Sequence, residues 1–301
     1  MVAPSTALKI SANVFTVFFI GMSFFPDKMM ETYKFDLSCP PRDRSCDEKR
    51  NLGFLYSMMG FCGMQLFGFC VNCAAMARDG VSVKAQSATC FCAMIWFIIF
   101  IFNDASYLFG GMPESIPKEG IYFNIALFAA LAGLQYSAWT ESGSVMPKIG
   151  SMIPSGRFAM PIIVGALNAL FFGIPMVVMR ETWIENWPAA ADSFKALTPD
   201  LKFFALWIMG NFGKIMVMNT LMGFAIISAE PNKEDTQYRM LRGSSLVYLY
   251  FMGSMGQQTI INAIQGTPDP MRVATYLQTM AVTFYQLNSW AGVGFTLKKQ
   301  A

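Results

Sequence analysis

Apolar blocks, each roughly the 20 residues a helix needs to cross about 30 Å of hydrocarbon, leave this chain few ways to fold. They run over Leu8–Pro26, Leu52–Met76, Ala88–Phe109, Ile121–Trp139, Phe158–Val178, Phe203–Ser228, Ser244–Ile264 and Val273–Gly294. In lipid a helix satisfies its own backbone polar groups, so the pattern predicts an all-α integral membrane protein with about eight transmembrane helices. Charged residues are 14% of the sequence, against about 25% in a soluble domain, and such a chain lacks the polar surface that water demands. The first block has neither a basic leader nor a small-residue cleavage site, so it is expected to be a span and not a signal peptide.

The sequence also repeats itself. Met59, Gly60 and Gly63 recur as Met209, Gly210 and Gly213, 150 positions on, and "MMETY" at Met29–Tyr33 recurs at the same shift as "MRETW" at Met179–Trp183. Gln135 and Trp139 answer to Gln286 and Trp290, 151 positions on. A near-constant period across unlike motifs predicts tandem repeats, residues 1–150 and 151–301, each a four-helix membrane unit. With an even number of spans per unit, the second enters the membrane from the same side as the first, so the halves are parallel. Inverted repeats are the more familiar build of secondary transporters, although parallel ones occur there too. Lys and Arg are shared almost evenly between the two predicted faces, and the count leans only weakly towards cytosolic or stromal termini. The long connections, about Asp27–Asn51 and Met179–Lys202, fall on the opposite face and read as partner-facing loops or interfacial caps.

Histidine is absent from the sequence, which removes the commonest metal ligand and the usual near-neutral proton shuttle. The net charge of +3 gives no reason to invoke nucleic acid. No phosphate-binding loop, zinc-protease pair or nucleophile elbow is present. No catalytic constellation emerges, and the expectation is a protein that is not an enzyme.

Two charges interrupt the apolar blocks: Asp104 towards the end of the third and Lys214 in the middle of the sixth. A charge in a bilayer pairs, lines water or binds something. The two either pair across the repeats or meet a polar headgroup; alternatively Asp104 sits at the interface and Lys214 snorkels. The amides Gln135, Gln286, Asn103 and Asn211 would tie helices together or present oxygens to a ligand such as a pigment metal. Gly60, Gly63, Gly210 and Gly213 suit close helix approach. Cys39 and Cys46, in a polar loop, are a candidate disulfide if that face is oxidising. Cys70, Cys73, Cys90 and Cys92 form a weak candidate metal set; cysteine in apolar helices more often acts as a small hydrophobe.

One fragment, "SGRFAM" at Ser155–Met160, resembles the "GRxAM" stretch that opens a helix in light-harvesting chlorophyll proteins. The resemblance covers six residues and implies a glutamate five positions before the arginine; Met152 stands there, and Ser155 where the family has Asn or His. The sequence therefore does not assign that family. Taken together, the expectation is an accessory or linker subunit of a larger membrane complex, a photosynthetic antenna or respiratory assembly. Chlorophyll, carotenoid or structural lipid would be its cofactors, and the bilayer and other membrane subunits its partners. The thylakoid or mitochondrial inner membrane would be its location. The alternative is a small-solute transporter or channel made of two parallel four-helix halves.

Overall fold

The structure, a computed structural model, describes residues 2–33, 48–147, 159–186, 188–229 and 245–250, with scattered positions from 252 to 281. Helix accounts for 86% of it, and among the described residues no strand occurs. The elements are α1 (Pro4–Phe24), α2 (Pro26–Thr32), α3 (Glu48–Met76), α4 (Val83–Gly110), α5 (Glu119–Glu141) and α6 (Ala159–Asn168). A π-helical turn (Ala169–Gly173) follows, then α7 (Ile174–Val178), α8 (Arg180–Glu185), α9 (Pro188–Lys195) and α10 (Pro199–Ala229).

Their ends follow local chemistry. Pro4 and Pro26 open α1 and α2, where a missing N–H costs nothing. The α3–α4 turn passes through Gly80 at φ 85°, a left-handed conformation that glycine adopts without strain. The Ser82 hydroxyl then caps α4 by accepting from the Ala85 N–H at 3.2 Å.

Five helices are long and apolar enough to cross a membrane: α1, Gly53–Met76 of α3, α4, α5, and Pro199–Ile226 of α10. These coincide with five of the eight expected spans. The expected span Phe158–Val178 is helical throughout its described part, 159–178, with a π-helical turn just before Pro175; its apolar stretch Ile163–Val178 is shorter than the other five. Pro175 accounts for the π-helical turn, since it removes a backbone donor and its ring displaces the carbonyl of the preceding turn. Of the last two expected spans, residues 245–250 are helical and most of Val273–Gly294 lies outside the described residues.

α1 packs along α3 and α4 along α5, while α10 lies against both α3 and α4. Aromatic rings fill the centre of the first four long helices. Phe69 of α3 stacks on Trp96 of α4 at 4.4 Å, and Phe15 of α1 stacks on Phe97 of α4 at 5.6 Å.

One piece of geometry occurs twice. α1 ends at Phe25 (φ −133°, ψ 51°) and α7 ends at Met179 (φ −131°, ψ 40°), and each break leads into a short helix. In each case a glycine of the next long helix lies against the turn before the break. A Cβ built at Gly63 would overlap Ser23 Oγ and lie 3.1 Å from Met22 Cβ and 3.3 Å from the Phe19 oxygen. A Cβ at Gly213 would overlap the Gly173 oxygen and lie 2.9 Å from Met176 Cβ and 3.1 Å from Val177. The partners Phe19/Gly173, Met22/Met176 and Ser23/Val177 are 154 positions apart, whereas the glycines are 150 apart. The match of Met29–Tyr33 to Met179–Trp183 at 150 is therefore out of step with the packing, which sets Met30 opposite Ile184. Both are fully buried. A connection four residues shorter in the second half accounts for the slip.

The connections expected to be loops contain α2, α8 and α9 instead. Six to eight residues with one buried face, Met30 in α2 and Ile184 in α8, make a helical turn or two at the edge of the bundle, and Pro26 and Pro188 open α2 and α9. Their polarity had hidden them among the loops.

Candidate functional site

Asp104 and Lys214 come from facing helices, α4 and α10, and both are closed in by protein, at 1% and 6% exposure. Asp104 Oδ1 accepts from Asn103 Nδ2 at 3.1 Å and from Trp207 Nε1 at 3.3 Å. Its second oxygen is buried without a hydrogen-bond partner, with Asn124 of α5 near the carboxylate. Lys214 Nζ donates to Asn211 Oδ1 at 3.2 Å, one turn back on α10, and lies 5.2 Å from the centre of the Phe100 ring. Phe100 stands one turn before Asp104 on α4, so the acid and the base sit at neighbouring levels of the α4–α10 contact. They do not touch: among the described residues the one ion pair within 4.0 Å is Lys28–Glu31, on the exposed face of α2.

The short helices reach this cluster from the bundle edge. Tyr33, just after α2, donates its hydroxyl to Asn124 Oδ1 at 3.2 Å and meets Trp207 edge-on at 5.4 Å. Its ring lies so close over Gly120, at the start of α5, that a Cβ there would sit 2.7 Å from it. Burial pushes the Tyr33 phenol up to about 12, which keeps the hydroxyl protonated as a donor. From α8, the Arg180 guanidinium passes over the backbone of Gly210 and lies 5.3 Å from the centre of the Tyr107 ring. Gly210 stands one helical turn before Lys214 on α10.

Sequence reasoning singled out Asp104, Lys214, Asn103 and Asn211, and the structure brings these four together. It missed Tyr33, Trp207, Asn124 as a Tyr33 acceptor, and Arg180. Tyr33 and Arg180 sit outside the apolar blocks, where nothing but tertiary structure links them to the interior. Gln135 lies apart from the cluster: its Nε2 donates to the Ala7 oxygen at 3.0 Å and to Ser11 Oγ at 2.8 Å, tying α5 to α1. Replacing Gln135 by leucine is expected to lower stability by about 1 kcal/mol, the worth of such a tie in lipid, read as a lower unfolding midpoint in detergent. An unchanged midpoint would contradict the tie. Gln286 lies outside the described residues.

The four glycines divide. Gly63 and Gly213 lie at helix crossings and Gly210 admits Arg180, but Gly60 has only the Tyr250 hydroxyl near it, at 3.9 Å, among the described residues. The spacing gave all four the same packing role, because a repeat on one helix does not say which face meets a neighbour. Cys70, Cys73, Cys90 and Cys92 are buried free thiols, and Cys90 Sγ donates to the Pro4 oxygen at 3.8 Å. Among the described residues no three His, Cys, Asp or Glu side chains gather closely enough to hold a metal. Cys39 and Cys46, and the Ser155–Phe158 part of the light-harvesting-like fragment, lie outside the described residues. No family model matches the chain, and no curated protein or solved structure matches it either.

Proposed function

We propose that this multi-pass membrane protein is a non-enzymatic accessory or linker subunit of a larger membrane complex. In this reading it is built from two parallel four-helix halves, residues 1–150 and 151–301. The observation that carries the proposal is the closure of Asp104 and Lys214 inside the bundle, with partners supplied by α4 and α10 themselves. Charges tied down in this way fix how helices sit against one another, and a rigid core is what a scaffold requires. The recurring glycine crossing at Gly63 and Gly213 supports the two-half build. The outward faces of α4 and α5 carry Phe102, Phe109, Tyr122 and Phe123, large apolar surface suited to lipid, pigment or partner helices. A photosynthetic or respiratory assembly fits that surface.

Purification from the native membrane in mild detergent, followed by mass spectrometry of what co-elutes, tests the proposal. The expected result is recovery with stoichiometric membrane subunits. Recovery as a lone chain, free of other subunits and of pigment, would contradict it. A second reading, a small-solute transporter, is favoured by the buried Asp104 oxygen that has no hydrogen-bond partner. Solute flux in liposomes, lost in Asp104→Asn, would favour that reading instead.

A further inference from the structure

The polar cluster has more positive charge and more donors than the protein itself uses. Arg180 lies against Gly210, one helical turn before Lys214 on α10, and Lys214 lies beside Phe100, one turn before the carboxylate of Asp104 on α4. Glu181 and Glu185 of α8 are exposed. Arg180 is only half-buried, and among the described residues it makes no hydrogen bond to an acceptor; the Tyr107 ring and the Gly210 backbone lie beside it. The Tyr107 hydroxyl is buried with no hydrogen-bond partner, and so is the indole N–H of Trp183, one turn beyond Arg180 on α8. Lys214 Nζ directs one hydrogen bond to Asn211, and an ammonium has three donors. Buried donors left without acceptors are costly, and two neighbouring cations at the edge of an apolar bundle repel unless an anion sits with them.

Gly210 is what lets Arg180 approach the stretch of α10 that carries Lys214. It lies one helical turn before Lys214 on α10, and a Cβ there would be 3.2 Å from Arg180 Nη1 and 3.5 Å from Cζ. The bare backbone makes the notch through which the guanidinium enters. A planar guanidinium with a neighbouring hydroxyl and ammonium matches the oxygens of a phosphate or carboxylate.

We propose that Arg180, Lys214 and the Tyr107 hydroxyl form a binding site for an oxyanion, the phosphate or carboxylate of a lipid headgroup or of a free solute, reached from the α8 side. The site goes beyond the subunit reading and stands without it. An anion here balances the excess positive charge and supplies the acceptors that Arg180 and Tyr107 lack.

The test uses the full chain in nanodiscs, with the unfolding midpoint and native mass spectrometry as readouts. Discs of phosphatidylcholine are compared with equimolar phosphatidylcholine and phosphatidylglycerol, and with phosphatidylcholine discs in inorganic phosphate or acetate at matched ionic strength. If a lipid headgroup occupies the site, phosphatidylglycerol raises the midpoint and stays bound. If a free anion occupies it, phosphate or acetate raises the midpoint in the neutral discs. In either case Arg180→Gln weakens binding ~10-fold or more, the loss expected for a charge-assisted hydrogen bond. Tyr107→Phe weakens it several-fold while leaving the midpoint in neutral discs unchanged or higher, since it deletes a hydroxyl that has no partner. No midpoint rise with any of these anions, or a rise that Arg180→Gln retains in full, overturns the proposal.

Discussion

Replacing Gly213 by alanine is expected to destabilise the protein by about 1–3 kcal/mol, the usual cost of forcing a methyl into a filled site. The added carbon would meet the Gly173 backbone oxygen and Met176 Cβ, neither of which can swing aside as a flexible side-chain tip can. Gly63→Ala should fall at the low end of that range. Its nearest obstacle is the Ser23 hydroxyl, which can rotate. Gly60→Ala, with open space around it among the described residues, should be neutral or stabilising by about 0.5–1 kcal/mol, because alanine is the better helix former. Denaturation of the three variants in detergent checks the order. A Gly60→Ala loss as large as that of Gly213→Ala would contradict the assignment of the crossings.

Lys214→Met should cost about 0.5–3 kcal/mol, since it removes the bond to Asn211 and the cation that faces the buried Asp104 across a gap. Asp104→Asn alone leaves Lys214 with the Asn211 amide and the Phe100 ring, so it should cost less. The double variant Asp104→Asn/Lys214→Met should be more stable than the sum of the two single losses predicts. The resulting coupling is expected at about 0.5–3 kcal/mol, from the same denaturation experiment. The lower part of that range corresponds to charges acting across a gap, as these do. Strict additivity would mean that the two charges do not sense each other.

Much of this arrangement is legible before any coordinates. α1, α3, α4, α5 and α10 announce themselves because a bilayer-spanning helix must be long and apolar, a pattern that Phe158–Val178, Ser244–Ile264 and Val273–Gly294 share in sequence. Asp104 and Lys214 are visible for the opposite reason, as charges where charge is expensive. The short helices α2, α8 and α9 are not legible. At six to eight residues they vanish into the polarity of the connections, and with them go Tyr33 and Arg180 as members of the cluster. The π-helical turn between α6 and α7, just before Pro175, is not legible either, since hydropathy does not register backbone geometry. The period of about 150 residues is legible in the sequence, but the register of the recurring glycine contact is not. Sequence identity at Met29–Tyr33 and Met179–Trp183 favours 150, while the helix breaks and glycine contacts align at 154 before the short connection. A one-turn slip of this size preserves the helical face, and a sequence comparison tolerates it.

The outward faces of these helices lie in lipid while Asp104 and Lys214 are enclosed by protein. Nitroxide labels at Val17 and Phe102, both among the most exposed apolar positions, test it directly against a label at Lys28 on the α2 surface. In nanodiscs the first two should be relaxed strongly by oxygen dissolved in the acyl chains and weakly by a water-soluble nickel complex, and Lys28 the reverse. Strong relaxation of the Val17 and Phe102 labels by the nickel complex would contradict the claim.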